Sequence, residues 1–150
     1  MLFIHYSLFI VLLSGCFPKG TGLDTQFVEG TITLDGNPCE KVSITFIPKT
    51  AGSGEGANGI SGTDGRYILS SLSGDAGKGA LAGDYIVLAS KSEAVELAKP
   101  KIGPSGDPIT SELKPVLPEI YRNEQKTPLS ATVVKGKNKI DFALESSPKK

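Results

Sequence analysis

Any chemistry in this chain would have to come from very few residues. Its 150 residues include one histidine, His5, and two cysteines, Cys16 and Cys39. Beyond His5 no imidazole remains, so no Ser-His or Cys-His pair and no histidine zinc site can be assembled there. Cys39 alone cannot build a thiolate cage. Placed after Pro38 and ahead of an apolar run, it reads as a small buried hydrophobe. Asp35, Asp64 and Asp84 each adjoin a glycine, where a carboxylate steadies turn backbone rather than moving protons. The Gly-rich run 74–80 lacks the Lys-Ser/Thr end of a phosphate loop and the acidic spacing of a calcium loop. No catalytic, cofactor-binding or metal-ligating set emerges, and enzyme activity is not expected.

Cys16 stands in a different context. The first fifteen residues carry no Lys, Arg, Asp or Glu, and Leu8 to Leu13 form a compact apolar run. That run is too short for a membrane-spanning helix but suits the apolar core of an export signal. The junction Leu13-Ser14-Gly15-Cys16 resembles the bacterial lipoprotein signal, in which an apolar residue and two small ones precede a modified cysteine. The resemblance implies cleavage before Cys16, a diacylglycerol on its thiol and an acyl chain on its freed amine. Two chains hold a protein firmly where one holds it marginally. The expectation is an exported lipoprotein, anchored through Cys16 to membrane lipid and facing the periplasm or the cell surface. If the thiol of Cys16 is acylated, no disulfide to Cys39 can form. Residues 16–26, with Phe17, Pro18, Gly20 and Gly22, read as a flexible tether.

The remainder reads as strands and turns. Gly 18 and Pro 10 with 39% apolar content suit a turn-rich β domain. Sixteen basic and sixteen acidic residues balance, and no basic patch stands out, so nucleic acid is not an expected partner. Val28, Gly30, Ile32 and Leu34 alternate, as do Val42, Ile44 and Phe46, around a turn at Asp35-Gly36-Asn37-Pro38; this predicts an opening β-hairpin. Further strands are expected at 59–62, 67–72, 85–91, 129–134 and 140–144, with Asp64-Gly65 as a second tight turn. The expected core is Ile32, Val42, Ile44, Phe46, Tyr67, Leu69, Tyr85, Val87, Val133, Ile140 and Phe142. About seven strands without a covering helix bury their faces by stacking two sheets.

The long connection 92–127 holds Pro100, Pro104, Pro108, Pro115 and Pro118. Residues 92–99 could form a helical turn or two, and 101–114 are expected to be mobile and the first site of proteolysis. Leu117, Ile120 and Tyr121, with Pro118 at a first helical position, suggest a short docked turn.

The segments Val28 to Pro38, Val42 to Pro48, Gly62 to Leu69 and Ala82 to Leu88 together resemble the carboxypeptidase regulatory-like domain. The resemblance implies a transthyretin-like, seven-stranded, two-sheet antiparallel β-sandwich over residues 27–145. It assigns motif glycines to Gly30, Gly36, Gly65 and Gly83 and motif tyrosines to Tyr67 and Tyr85. With Leu117 to Asn123 and Leu129 to Leu144, the pattern is similar to small secreted lipoproteins abundant in planctomycete bacteria. The peptidase that lends the domain its name needs zinc ligands, which this chain lacks. The resulting division is a signal peptide at 1–15, a tether at 16–26, a sandwich at 27–145 and a polar tail at 146–150.

The function expected is therefore a non-catalytic, lipid-anchored envelope module with a structural or protein-interaction role. The alternative is a ligand- or carbohydrate-binding module that uses its loops, chiefly 92–127. Glycan sites need exposed aromatic platforms; with no Trp, Tyr67 and Tyr85 in core phase and Tyr121 in the docked turn, only Phe17 and Phe27 remain.

Overall fold

The computed structural model describes residues 24–50, 54–72 and 79–148. The expected signal peptide and Cys16 lie outside the described residues. The first strand, β1 (Thr25–Leu34), alternates buried and half-buried side chains over most of its length, with Val28, Gly30 and Ile32 facing inward. It begins two residues before the expected domain start, so Thr25 and Gln26 belong to the sheet rather than to a tether. Asp35 and Gly36, at φ 50 and 83, make the two-residue turn whose twist matches that of the flanking strands. The turn returns β2 (Asn37–Pro38) onto Leu34 and Thr33.

The expected hairpin stops there. The run 42–46 does not pair with β1; it opens β3 (Ser43–Pro48), which lies in the opposite sheet between β4 (Ala57–Ile60) and β8 (Gly83–Ser90). The chain crosses between sheets at Cys39 and Val42, both buried, with Lys41 at φ 56 supplying the bend. Ser61 clamps this crossing. Its Oγ accepts from the Val42 amide at 2.9 Å and donates to the Cys39 carbonyl at 2.7 Å. The segment 67–72 divides in the same way. Its first part is β5 (Arg66–Ile68) on β1, its last is β6 (Ser70–Ser71) on β4, and buried Leu69 sits at the step.

Two sheets result. In the first, β1 is central. One side carries β7 (Ala80–Leu81), β5 and β2, all antiparallel, and the other carries β12 (Lys137–Lys139) and β13 (Phe142–Leu144), both parallel. In the second, the order is β11 (Ser130–Val133), β8, β3, β4 and β6. The segments thus stack into seven strand columns, three and four, with β6 as a short edge extension. This is a β-sandwich. β8 occupies the central place its long apolar run suggests.

The sheets meet on one core, and every side chain expected there is buried except Ile140, which is half-buried. Phe46 of the second sheet lies 6.0 Å edge-on from Phe142 of the first and 5.6 Å from Tyr85. Tyr67 and Tyr85 keep their hydroxyls paired inside, donating to the carbonyls of Ile140 and Leu81 at 2.7 and 2.8 Å. Burial raises the pKa of both phenols. Cys39 is a buried free thiol, as its setting suggests.

The long connection departs furthest from expectation. Residues 92–99 are not helical and 101–114 are not an unstructured loop. They form β9 (Ser92–Ile102) and β10 (Pro108–Pro115), a two-stranded antiparallel ribbon. The Pro104-Ser105 corner closes it: the Gly106 amide donates to the Gly103 carbonyl at 3.0 Å, Gly103 to Asp107 at 2.9 Å, and Gly106 has φ +89. Pro104 thus occupies the turn position proline favours, Pro108 opens its strand, Pro115 ends it, and Pro100 falls where the ladder shifts register and needs no donor from it. Beyond the ribbon the expected docked turn is present as a 3-10 helix, Glu119–Arg122, with Leu117 and Tyr121 buried and Ile120 half-buried.

Candidate functional site

The sequence-derived candidates are placed as backbone and core. Asp64 Oδ1 accepts from the Arg66 amide at 3.0 Å, steadying the Gly65 turn. Asp35 Oδ1 accepts from the Ser146 amide at 3.0 Å, and that bond lowers its pKa below the ordinary aspartate value. Asp84, expected in a turn, stands instead in β8 and accepts from the Thr132 hydroxyl. These three carboxylates are spread over different elements and do not converge. Among the described residues no group of three or more His, Cys, Asp or Glu could hold a metal ion. The rings of Tyr67, Tyr85 and Tyr121 are buried and Phe27 is half-buried, so none offers a flat exposed platform. Phe17 and residues 74–78 of the Gly-rich run lie outside the described residues; its last two, Gly79 and Ala80, are buried against β1. A hollow of about 310 Å³ on the solvent side of β1 is lined by Glu29, Gly30, Thr31, Arg66 and Lys139, with Glu29 and Arg66 paired across it at 3.7 Å.

The feature without a structural task inside the sandwich is the ribbon. Of the nineteen residues in its two strands, eleven in β9 and eight in β10, only Leu97 and Glu112 are less than exposed. Its apolar side chains face water, with Ile102 73% and Leu113 74% exposed, and Ile109 and Val95 also exposed. Registers differ in the two halves. Ser111 to Pro115 pair with Glu96 to Ser92, while Ile109 and Pro108 pair with Lys101 and Ile102. Residues 97–100 of β9 therefore stand opposite Thr110 alone, a bulge that holds Pro100. Glu112 ties the halves together, meeting Lys101 at 3.0 Å and Lys114 at 3.5 Å. At the base, the Val116 amide donates to the Lys91 carbonyl at 2.9 Å, Lys91 reaches Glu93 at 3.1 Å, and Leu117 and Tyr121 dock below.

The hydrogen bond from Lys101, then its charge, holds the Glu112 carboxyl below the ordinary glutamate range. A lowered folded-state pKa means that this contact supports the ribbon above the unfolded pKa and is lost as pH falls through the folded one. Replacing Lys101 with Gln is expected to move the Glu112 midpoint back up, which carboxyl-detected NMR titration would read. An unmoved midpoint would mean that the pair does not persist in solution.

The available signals for this site were the turn residues Gly103-Pro104-Ser105-Gly106, not hydrophobicity. A ribbon wet on both faces has no buried side to produce alternation.

No family model matches the chain, and no curated protein matches it. Two solved structures show a partial likeness to it. One is a 9R-lipoxygenase from Cyanothece PCC8801, at 10% identity and TM-score 0.41, covering 81% of this chain and 16% of that one. The other is a DUF3823 family protein from Parabacteroides merdae ATCC 43184, at 11% identity and TM-score 0.40, covering 82% and 47%. This chain therefore spans under half the length of either.

Proposed function

We propose that this chain is a non-catalytic, lipid-anchored module of the bacterial cell envelope that docks a protein partner through the β9–β10 ribbon. The finer family assignment we favour is the carboxypeptidase regulatory-like domain, on the motif glycines and tyrosines quoted above. The observation that carries the reading is the ribbon itself: a folded element outside the core, with Leu113, Ile102 and Ile109 turned to water. Apolar side chains displayed on a folded ribbon outside the core are suited to contact with another macromolecule. Protein is favoured over glycan because the ribbon carries aliphatic side chains and no aromatic ring.

Two experiments test the reading. Cys16→Ser is expected to shift the protein from the detergent phase to the aqueous phase, or to leave it unprocessed. Normal processing with retained lipid partitioning would refute the anchor. Mild crosslinking and pull-down from the native envelope is expected to recover a protein partner that is lost when residues 92–115 are replaced by a short Gly-Ser turn. Recovery undiminished by that replacement would remove the ribbon from the site, and retention on a glycan array would favour the carbohydrate alternative.

A further inference from the structure

We propose that β10 is a self-pairing edge: two copies of this chain join antiparallel along residues 111–115, about a two-fold axis through Leu113, fusing their ribbons into one four-stranded sheet. The proposal rests on the ribbon being the docking element, and on neither the lipid anchor nor an envelope partner.

Backbone geometry comes first. β10 pairs with β9 on one side and, among the described residues, with no strand on the other. The bond from the Val116 amide to the Lys91 carbonyl fixes which residues in this half of the ribbon point inward. In an antiparallel ladder bonded and non-bonded pairs alternate, so Lys114–Glu93 and Glu112–Val95 are the bonded pairs. Ser111, Leu113 and Pro115 consequently turn their backbone groups toward the free edge. Pro115 is tolerated there because β9 requires no donor from it. An open edge of this kind is a template for another strand.

Side-chain order then selects the occupant. The edge reads Glu112-Leu113-Lys114, and its charges reverse when it is read backwards. Antiparallel pairing centred on Leu113 sets it opposite the partner's Leu113. The same pairing sets Glu112 opposite the partner's Lys114, and Lys114 opposite the partner's Glu112. Successive side chains alternate faces, so the two leucines meet on one face and the two ion pairs form on the other. Each Leu113 can exchange two backbone bonds with its copy, and each Ser111 amide meets the partner's Pro115 carbonyl. Opposite charges directly across a strand pair stabilise it, and like charges destabilise it. The matching run of β9, 92–96, carries Glu93 and Glu96 but no basic residue, so it cannot set opposite charges against a second copy of itself. A closed two-fold contact also uses up the edge, so it yields a dimer rather than a fibre.

The test uses the full chain carrying Cys16→Ser, so that lipid plays no part. Sedimentation equilibrium is expected to show a concentration-dependent dimer. Lys114→Glu or Glu112→Lys alone sets like charges against each other twice and should weaken it about tenfold or more. An equimolar mixture of the two variants restores both opposite-charge contacts and should recover the dimer. As a second readout, Leu113→Cys should oxidise to a covalent dimer, since directly opposed bonded residues lie about 5.5 Å apart, within disulfide reach. Val134→Cys, exposed on the sandwich, should not. A Cys16→Ser chain with the native ribbon that stays monomeric at hundreds of micromolar, about the millimolar-affinity limit, overturns the proposal while leaving ribbon-dependent capture of an envelope protein standing. So does a dimer indifferent to both charge reversals, or a mixture that does not recover.

Discussion

Replacing Phe46 with alanine is expected to remove about 3–5 kcal/mol from the unfolding free energy. The ring is fully buried on β3, at the level where the second sheet meets the first. It touches Tyr85 beside it and Phe142 across the interface, so its loss opens a cavity walled by both sheets. Tyr85 is held by its bond to Leu81, and Phe142 by the parallel ladder to Ile32, so neither can collapse freely into the space. A domain of this size is stable by only about 5–15 kcal/mol, so the change is a large fraction of the whole. Urea denaturation of the wild type and the variant would measure it. Val134→Ala, at an exposed position, is expected to stay within about 0.5 kcal/mol and serves as the control. A loss below about 1 kcal/mol for Phe46→Ala would place the ring outside the load-carrying core.

Gly30→Val is expected to be comparably damaging for the opposite reason. A Cβ at residue 30 would stand 1.7 Å from the Ile140 carbonyl oxygen and 2.9 Å from Cε1 of Tyr67. The first obstacle is backbone, which cannot rotate aside as a side chain can. It is also the carbonyl that accepts the Tyr67 hydroxyl bond, so moving it strands a buried phenol. Overpacking combined with a lost buried hydrogen bond gives an expected cost of about 3 kcal/mol or more. Gly36→Ala makes an informative contrast. Its φ of +83 favours glycine, yet a Cβ there meets nothing within 4 Å, so the penalty is only the strained backbone. Thermal unfolding of the three proteins would rank them wild type, Gly36→Ala, Gly30→Val. Equal midpoints for the two variants would show that β1 and the 140 crossing separate easily.

Much of the sandwich was legible because strands with one dry face leave a period of two in the chain. Ile32, Val42, Ile44, Phe46, Tyr85 and Val87 all read correctly as core, and Asp35-Gly36 as a tight turn. Leu117 and Tyr121 were legible too, since two apolar residues four apart beside a proline have to dock somewhere. Cys39 was readable as packing because its surroundings offered no second ligand or base. The candidate site was not legible in the same way. Glu93, Ala94, Leu97 and Lys99 have good helix propensity, and the prolines read as breakers, yet pairing with residues 108–115 overrides both.

The sequence by itself determined which side chains are buried, where the chain turns, and that chemistry based on histidine cannot operate beyond residue 5. Only the tertiary structure decided which strand lies beside which. Period-two alternation gives a strand a buried face without naming a partner, and a backbone ladder bonds any strand that arrives in register. Thus β1 took β5, β12 and β13, which lie far along the chain, and surrendered β3 to the opposite sheet. The ribbon is the extreme of the same rule. Its order comes from the backbone bonds between β9 and β10 and the turn at 103–106, so a water-facing Leu113 left no trace in the hydrophobic pattern.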